Sequence, residues 1–188
     1  MIELLIVVGL IGVISAVAVP MFGRMVANYR VVGAARSLSN ALAVTKIRSA
    51  ATFSRTRLYV DMSSGTHHLE LLDRSVDPAH WTTEGGATYL PTGVSFSFAP
   101  VTAAPPNTQA GISQSVPCTQ DDGTAIVNTA CIMFNSRGIP VDSTGAPVAS
   151  GALYLTDGSA VYGVTVAATG MIRLWRTFPY ATPNWVMQ

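Results

Sequence analysis

The sequence predicts an α+β protein: a long N-terminal helical stem packed on one antiparallel β-sheet or β-sandwich domain. Three observations point to it. From about Ile2 to about Ala51 the apolar pattern runs on with no turn signal, as in a single helix. Past that point the apolar period changes from about 3.6 to 2, in short runs bounded by Gly, Ser, Asn and Pro. The chain has 188 residues, and removing the stem leaves about 135, enough for one domain and hardly for two. The divisions expected are a transmembrane helix over 1–23, an amphipathic continuation over 24–52, and an extracytoplasmic β-rich domain over 53–188 with a loop excursion around 100–130.

The stem opens apolar on all sides. Between Met1 and Phe22 only Glu3 and Ser15 are neither apolar nor glycine, apart from Pro20. A helix to Ala51 would run roughly 70–75 Å at 1.5 Å per residue, more than a small domain can cover. One end must lie in lipid or among other copies of the chain. A cleaved signal peptide fits poorly: no Lys or Arg precedes Arg24, and the apolar run leads into more helix rather than a processing site. A retained anchor fits better. Glu3 then has two readings. Either it is solvated at the membrane edge, or it waits for an amine from another subunit, because a carboxylate in hydrocarbon costs several kcal/mol unless it is paired.

The run MIELLIVVGLIGVISAVAVP resembles the N-terminal helix of the class III signal-peptide proteins, the type IV pilins and the pseudopilins of type II secretion. Glu3 falls on that family's Glu and Pro20 on its helix-kinking Pro, with Gly9 and Gly12 in the same stretch. The resemblance implies a pilin-like fold, with 1–23 also serving as the filament core. It implies a leader and two mature residues ahead of Met1, cut and N-methylated by a prepilin peptidase. It further implies a charge pair between Glu3 and the N-terminal amine of a neighbouring subunit. The implied partners are other pilin or pseudopilin subunits, the inner-membrane assembly platform and, before assembly, the bilayer. Gly9, Gly12, Pro20 and Gly23 are either weak points where the helix bends or melts on assembly, or sites of close helix packing.

From Met25 on, Val26, Tyr29, Val32, Ala35, Leu38 and Leu42 recur at spacings of three and four, an apolar stripe that should lie on the β domain. The stretch RSLSNALAVTKIRSAATFSRTRLYVD resembles the H-type minor pseudopilins and the FimT-like minor pilins, whose stem passes directly into a first strand. That strand is expected over 57–62, a turn at Ser63-Ser64-Gly65, and a second strand over 66–72. His67 and His68 point to opposite faces of it, and His80 sits in the loop DPAHW. None of the three has a metal-ligand motif, so no metal or cofactor is expected. Trp81, Tyr89, Val94, Phe96 and Phe98 are expected in the core, the last three on a strand after the turn Pro91-Thr92-Gly93.

Residues 100–125 carry Pro and Gly throughout and read as an exposed loop. Cys118 and Cys131 are the only cysteines. Twelve residues between them match no zinc or redox motif, so the choice is a disulfide or two free thiols, and the exported character of the composition favours the disulfide. A strand at Ile132-Met133-Phe134 and a turn over 135–140 follow. Three closing strands are expected over 152–156, 160–168 and 171–176.

This closing pattern also resembles the H-type family, and some FimT-like proteins bind DNA there through a Gly-Arg-x-Arg motif. Here the place reads Gly170-Met171-Ile172-Arg173, with Trp175 and Arg176 after it. Arg173, Arg176 and Trp175 are thus candidate contacts to phosphate, base or a protein partner. The tail carries Phe178, Tyr180 and Trp185 interleaved with Pro179 and Pro183, either as a partner-facing set of aromatics or packed back on their own sheet. A formal charge of +1 argues against a dedicated nucleic-acid binder. No Gly-x-Ser-x-Gly elbow, P-loop or dinucleotide fingerprint occurs, so the chain reads as a non-enzymatic structural subunit of a pilus or pseudopilus. A minor subunit is preferred; a major shaft pilin and a DNA-binding minor pilin are the alternatives.

Overall fold

The computed structural model describes residues 2–77 and 79–188; the side chains at 2, 4, 5, 17, 19–21 and 24 lie outside the description. One helix, α1, spans Ile2–Ala51, about 75 Å at 1.5 Å per residue. Its end is marked by Phe53, which adopts φ 51° and turns the chain out of the helix. Arg48 in the last turn lies where the helix dipole favours a cation, and it also pairs with Glu84.

Nine strands follow, β1 (Thr56–Asp61), β2 (Thr66–Asp73), β3 (His80–Tyr89), β4 (Thr129–Phe134), β5 (Pro140–Val141), β6 (Ser150–Thr156), β7 (Val161–Ala167), β8 (Ile172–Thr177) and β9 (Val186–Met187). They form two sheets, ordered β3-β2-β1-β4-β5 and β6-β7-β8-β9, and every pairing is antiparallel. The second half of α1 and the inner faces of both sheets enclose one core. Leu58, Val60, Ile132 and Phe134 come from the larger sheet, and Leu153, Leu155, Tyr162, Val164 and Val166 from the smaller. A second cluster, Val101, Ala152, Tyr154 and Val161, lies on the other face of the smaller sheet.

The stem stripe that meets this core is Val31, Ala35, Leu38, Leu42, Thr45 and Ser49, an unbroken alternation of four and three residues. It starts later than the sequence suggests. Tyr29 is 65% exposed, because two residues before Val31 it points about 160° away from the buried stripe. Each fully buried Leu contributes about 1.5–3 kcal/mol, so Leu38 and Leu42 fix the register of stem on domain.

Several expectations are corrected. His80 opens strand β3 rather than sitting in a loop, and β3 runs through Gly85 and Gly86, which hid it from the sequence reading. The strand expected over Val94 to Phe98 is reduced to one bridge, Ser95 with Thr156. Of the five expected core residues Phe96 is buried and Tyr89 is 73% exposed. Val94 and Phe98 are partly buried against the two clusters. Trp81 is half-buried on the outer face of the larger sheet.

The segment between Pro100 and Asn128 has no strand, yet it is tied down. Gln114 donates to the Tyr154 carbonyl and accepts from its N–H, while Ser115 bonds Ala152 in the same way. The loop thereby supplies hydrogen bonds along the edge of β6 that a further strand would have made.

Candidate functional site: the uncovered half of the stem

Below Val31 the helix leaves the domain. Ile6, Val7, Val8, Leu10, Ile11, Val13 and Ile14 are each more than half exposed. Successive residues of a helix are 100° apart, so these positions span roughly 220° of the circumference, and Gly9, Gly12 and Ala16, exposed as well, occupy the rest. A helix apolar all round has no stable state in water on its own. Glu3 is exposed at the far end. An added Cβ at Gly9 or Gly12 would meet nothing within 4 Å, so neither glycine serves packing within this chain. Helical backbone continues through Pro20, whose side chain lies outside the description. Among the described residues no helix is long and apolar enough to cross a membrane, and the membrane-spanning reading of 1–23 rests on the sequence.

The candidate contacts on β8 do not converge. Arg173 pairs with Thr165, Trp175 with Gly163 and Arg176 with Tyr162 across the β7–β8 ladder, and alternate residues of a strand face opposite sides. Arg176 therefore shares the helix-side face with Tyr162, whereas Arg173 and Trp175 lie on the other. Trp175 is buried, and its indole N–H donates to Thr165 Oγ1 at 2.9 Å. It has no free face for a base. The Arg176 guanidinium sits 5.2 Å from the Phe178 ring and 6.0 Å from that of Tyr162. The tail aromatics divide between the two readings. Trp185 packs 5.9 Å from Tyr154 and donates to the Ala103 carbonyl, while Phe178 and Tyr180 stay exposed.

Cys118 and Cys131 form the disulfide, with Cα atoms 4.9 Å apart and both residues buried. Beside it lies a cluster that the sequence reading missed. Arg57, only 3% exposed, donates from Nε to Glu70 and from Nη1 to the Thr119 carbonyl, and its guanidinium lies 4.1 Å from the Trp81 ring. His68 meets the second Glu70 oxygen at 3.1 Å and stacks on Tyr59. The Trp81 N–H donates to Asp121. Together with the cystine these contacts clasp the loop around 118–121 to β1, β2 and β3. Register alone could have suggested the Arg57–Glu70 pair, since the two are direct cross-strand partners. Among the described residues no three His, Cys, Asp or Glu gather in a way that would hold a metal ion.

No family model and no curated protein matches this chain. Among solved structures it is similar to the crystal structure of the minor pseudopilin EPSH from the type II secretion system of Vibrio cholerae, at 14% identity and a TM-score of 0.43, over 80% of this chain and 92% of that one. A likeness of that degree decides neither function nor partner.

Proposed function

We propose that the protein is a structural subunit of a type II secretion pseudopilus or type IV pilus, most readily a minor one. In this reading residues 1–23 hold it as a single pass in the bacterial inner membrane, with the β domain outside the cytoplasm, until it is incorporated beside its partners. One observation supports this above the others: a continuous helix is fixed to the domain by its second half and leaves an apolar first half uncovered on every side. Such a segment is stable in hydrocarbon, where the helix satisfies its own backbone, or in a bundle of like helices. The two environments correspond to storage and to assembly. Glu3 pairs with the terminal amine of a neighbour, which removes two isolated charges from the bundle at once. The prepilin peptidase and the assembly platform act before and during that step.

The DNA-binding alternative loses support, because Arg173 and Arg176 face opposite sides and Trp175 is buried. The test of the proposal is Glu3→Ala in cells that make the filament. Membrane insertion should persist while incorporation falls; incorporation equal to the parent would remove the charge-pair role. Copy number in purified filaments distinguishes a minor subunit from a shaft pilin.

A further inference from the structure

Beside the stem, part of the larger sheet is left uncovered. Ser37, Asn40 and Val44 of α1 line one side of a cleft there, and Gly85 and Gly86 of β3 line the other. His67 and Leu69 of β2 lie between them. Their side chains face the helix, because His67 pairs with Val60 and Leu69 with Leu58, both residues of the core under α1. At one end Arg48 donates to Glu84 and so bridges stem and strand. At the other end the cleft opens past the exposed Gly33 toward the free half of α1.

The strand on the far side is cut back to its backbone. Gly85, Gly86 and Ala87 of β3 stand opposite His68 alone, and such a bulge leaves its extra residues out of the ladder. Gly85 is required by its φ of +80°, but Gly86 has no such need, and a Cβ on it would meet nothing within 4 Å. A glycine of that kind inside a strand marks the close approach of something from outside. His67 supplies the polar group. It is only 3% exposed, and its Nδ1 has no partner among the described residues. Burial keeps the ring neutral by lowering its pKa, so it can exchange one hydrogen bond with an uncharged group and recover what an unpaired buried atom forfeits. Among the described residues lining the cleft, Glu84 alone carries a fixed charge, and Arg48 cancels it. Val44, 56% exposed, adds apolar surface. From Ser37 to Val44 the wall runs about 10 Å, the span of about three residues of extended chain.

We propose that this cleft seats a short, extended, uncharged segment of a neighbouring subunit, whose hydrogen-bonding group meets His67 between Asn40 and Gly86. It rests on the reading of the chain as a filament subunit, in which neighbours surround the free half of α1 toward which the cleft opens. The neutral lining selects an uncharged segment, since a lone charge brought against Leu69 and Val44 would lose its hydration without a partner. Docking there fixes the neighbour against the domain as well as against the stem.

The test uses the full chain in cells that make the filament. Ser37→Cys reports from inside the cleft, and Thr83→Cys, exposed on the outer face of β3 opposite Glu70, is the control. With a membrane-impermeant maleimide the Ser37 thiol should label readily in membranes and resist in sheared filaments, while the Thr83 thiol labels in both. Gly86→Trp fills the cleft without touching this chain, so it should keep the urea midpoint of the parent and drop out of the filaments. His67→Leu removes the unpaired atom, so the midpoint should hold or rise while incorporation falls about tenfold, the loss of one hydrogen bond to a buried group. A Ser37 thiol equally reactive in both preparations, or Gly86→Trp incorporated like the parent, overturns the cleft and leaves the subunit reading intact. Equal protection of Thr83 also overturns it, in favour of general burial of the sheet. A His67→Leu chain whose midpoint and incorporation fall together overturns the role of His67 as a contact. A parent chain missing from the filaments overturns the subunit reading and the cleft together.

Discussion

At Gly170 a Cβ would meet the carbonyl oxygen of Gly138 at 2.2 Å, and the backbone there has φ +76°. Two turns and the Lys46 ammonium converge at that point, so there is no room to relax. Gly170→Ala should cost roughly 2–4 kcal/mol of domain stability, read as a lower midpoint in urea. His67 is a second residue with a measurable consequence. It is buried, its Nδ1 has no partner, and burial first, then the charge of His68, lowers its pKa below the ordinary 6.5. Below pH 6.5 the unfolded chain therefore takes up a proton that the folded chain refuses. Stability should fall as pH drops from about 6.5, and His67→Gln should flatten that limb of the profile. Asp61 acts lower on the scale. Hydrogen bonds from Ser63 and Ser64 hold its carboxylate down to about 2 from 3.8, so its contribution is present above pH 3.8 and lost as pH falls toward 2.

The clasp over the larger sheet behaves as an element rather than as separate contacts. Reducing Cys118–Cys131, which closes a loop with a sequence separation of 13, should cost about 2–4 kcal/mol. Arg57→Ala should cost roughly 3–5 kcal/mol, because it leaves the Glu70 carboxylate buried without its main partner. Replacing Arg57 by Met and Glu70 by Leu together should cost far less, and chemical denaturation of the parent, Arg57→Met, Glu70→Leu and the double variant measures the difference. The elements themselves were legible to different degrees. α1 emerged with its bounds, and β1, β2, β4, β6, β7 and β8 within a few residues at each end, because apolar period and turn residues agreed there. β3 was hidden because Gly85-Gly86 and a row of threonines carry no apolar alternation, and a bulge between His67 and Leu69 shifts its register. The site was legible in part. Apolar residues with one carboxylate marked the uncovered half of α1, but nothing in the spacing of Arg173, Trp175 and Arg176 showed that the core would claim Trp175. Nor could Arg57 be recognised as buried without knowing that the 118–121 loop folds over it.

For the whole molecule the central fact is division of one helix between two environments. One face of its second half is buried on the domain, and among the described residues of its first half every apolar side chain before Val26 is exposed. The measurement that tests this most directly is solvent accessibility of single cysteines placed along the stem. Both native cysteines are held in the disulfide, so an introduced thiol reports alone. Ile6→Cys, Ile11→Cys, Ile14→Cys and Ile47→Cys should be treated with a membrane-impermeant maleimide, first in intact membranes and then in sheared filaments. The first three should resist the reagent in both preparations, protected by lipid and then by neighbouring helices, while Ile47, 68% exposed on the domain half, reacts in membranes. Ready labelling at all four positions in both preparations would contradict the account.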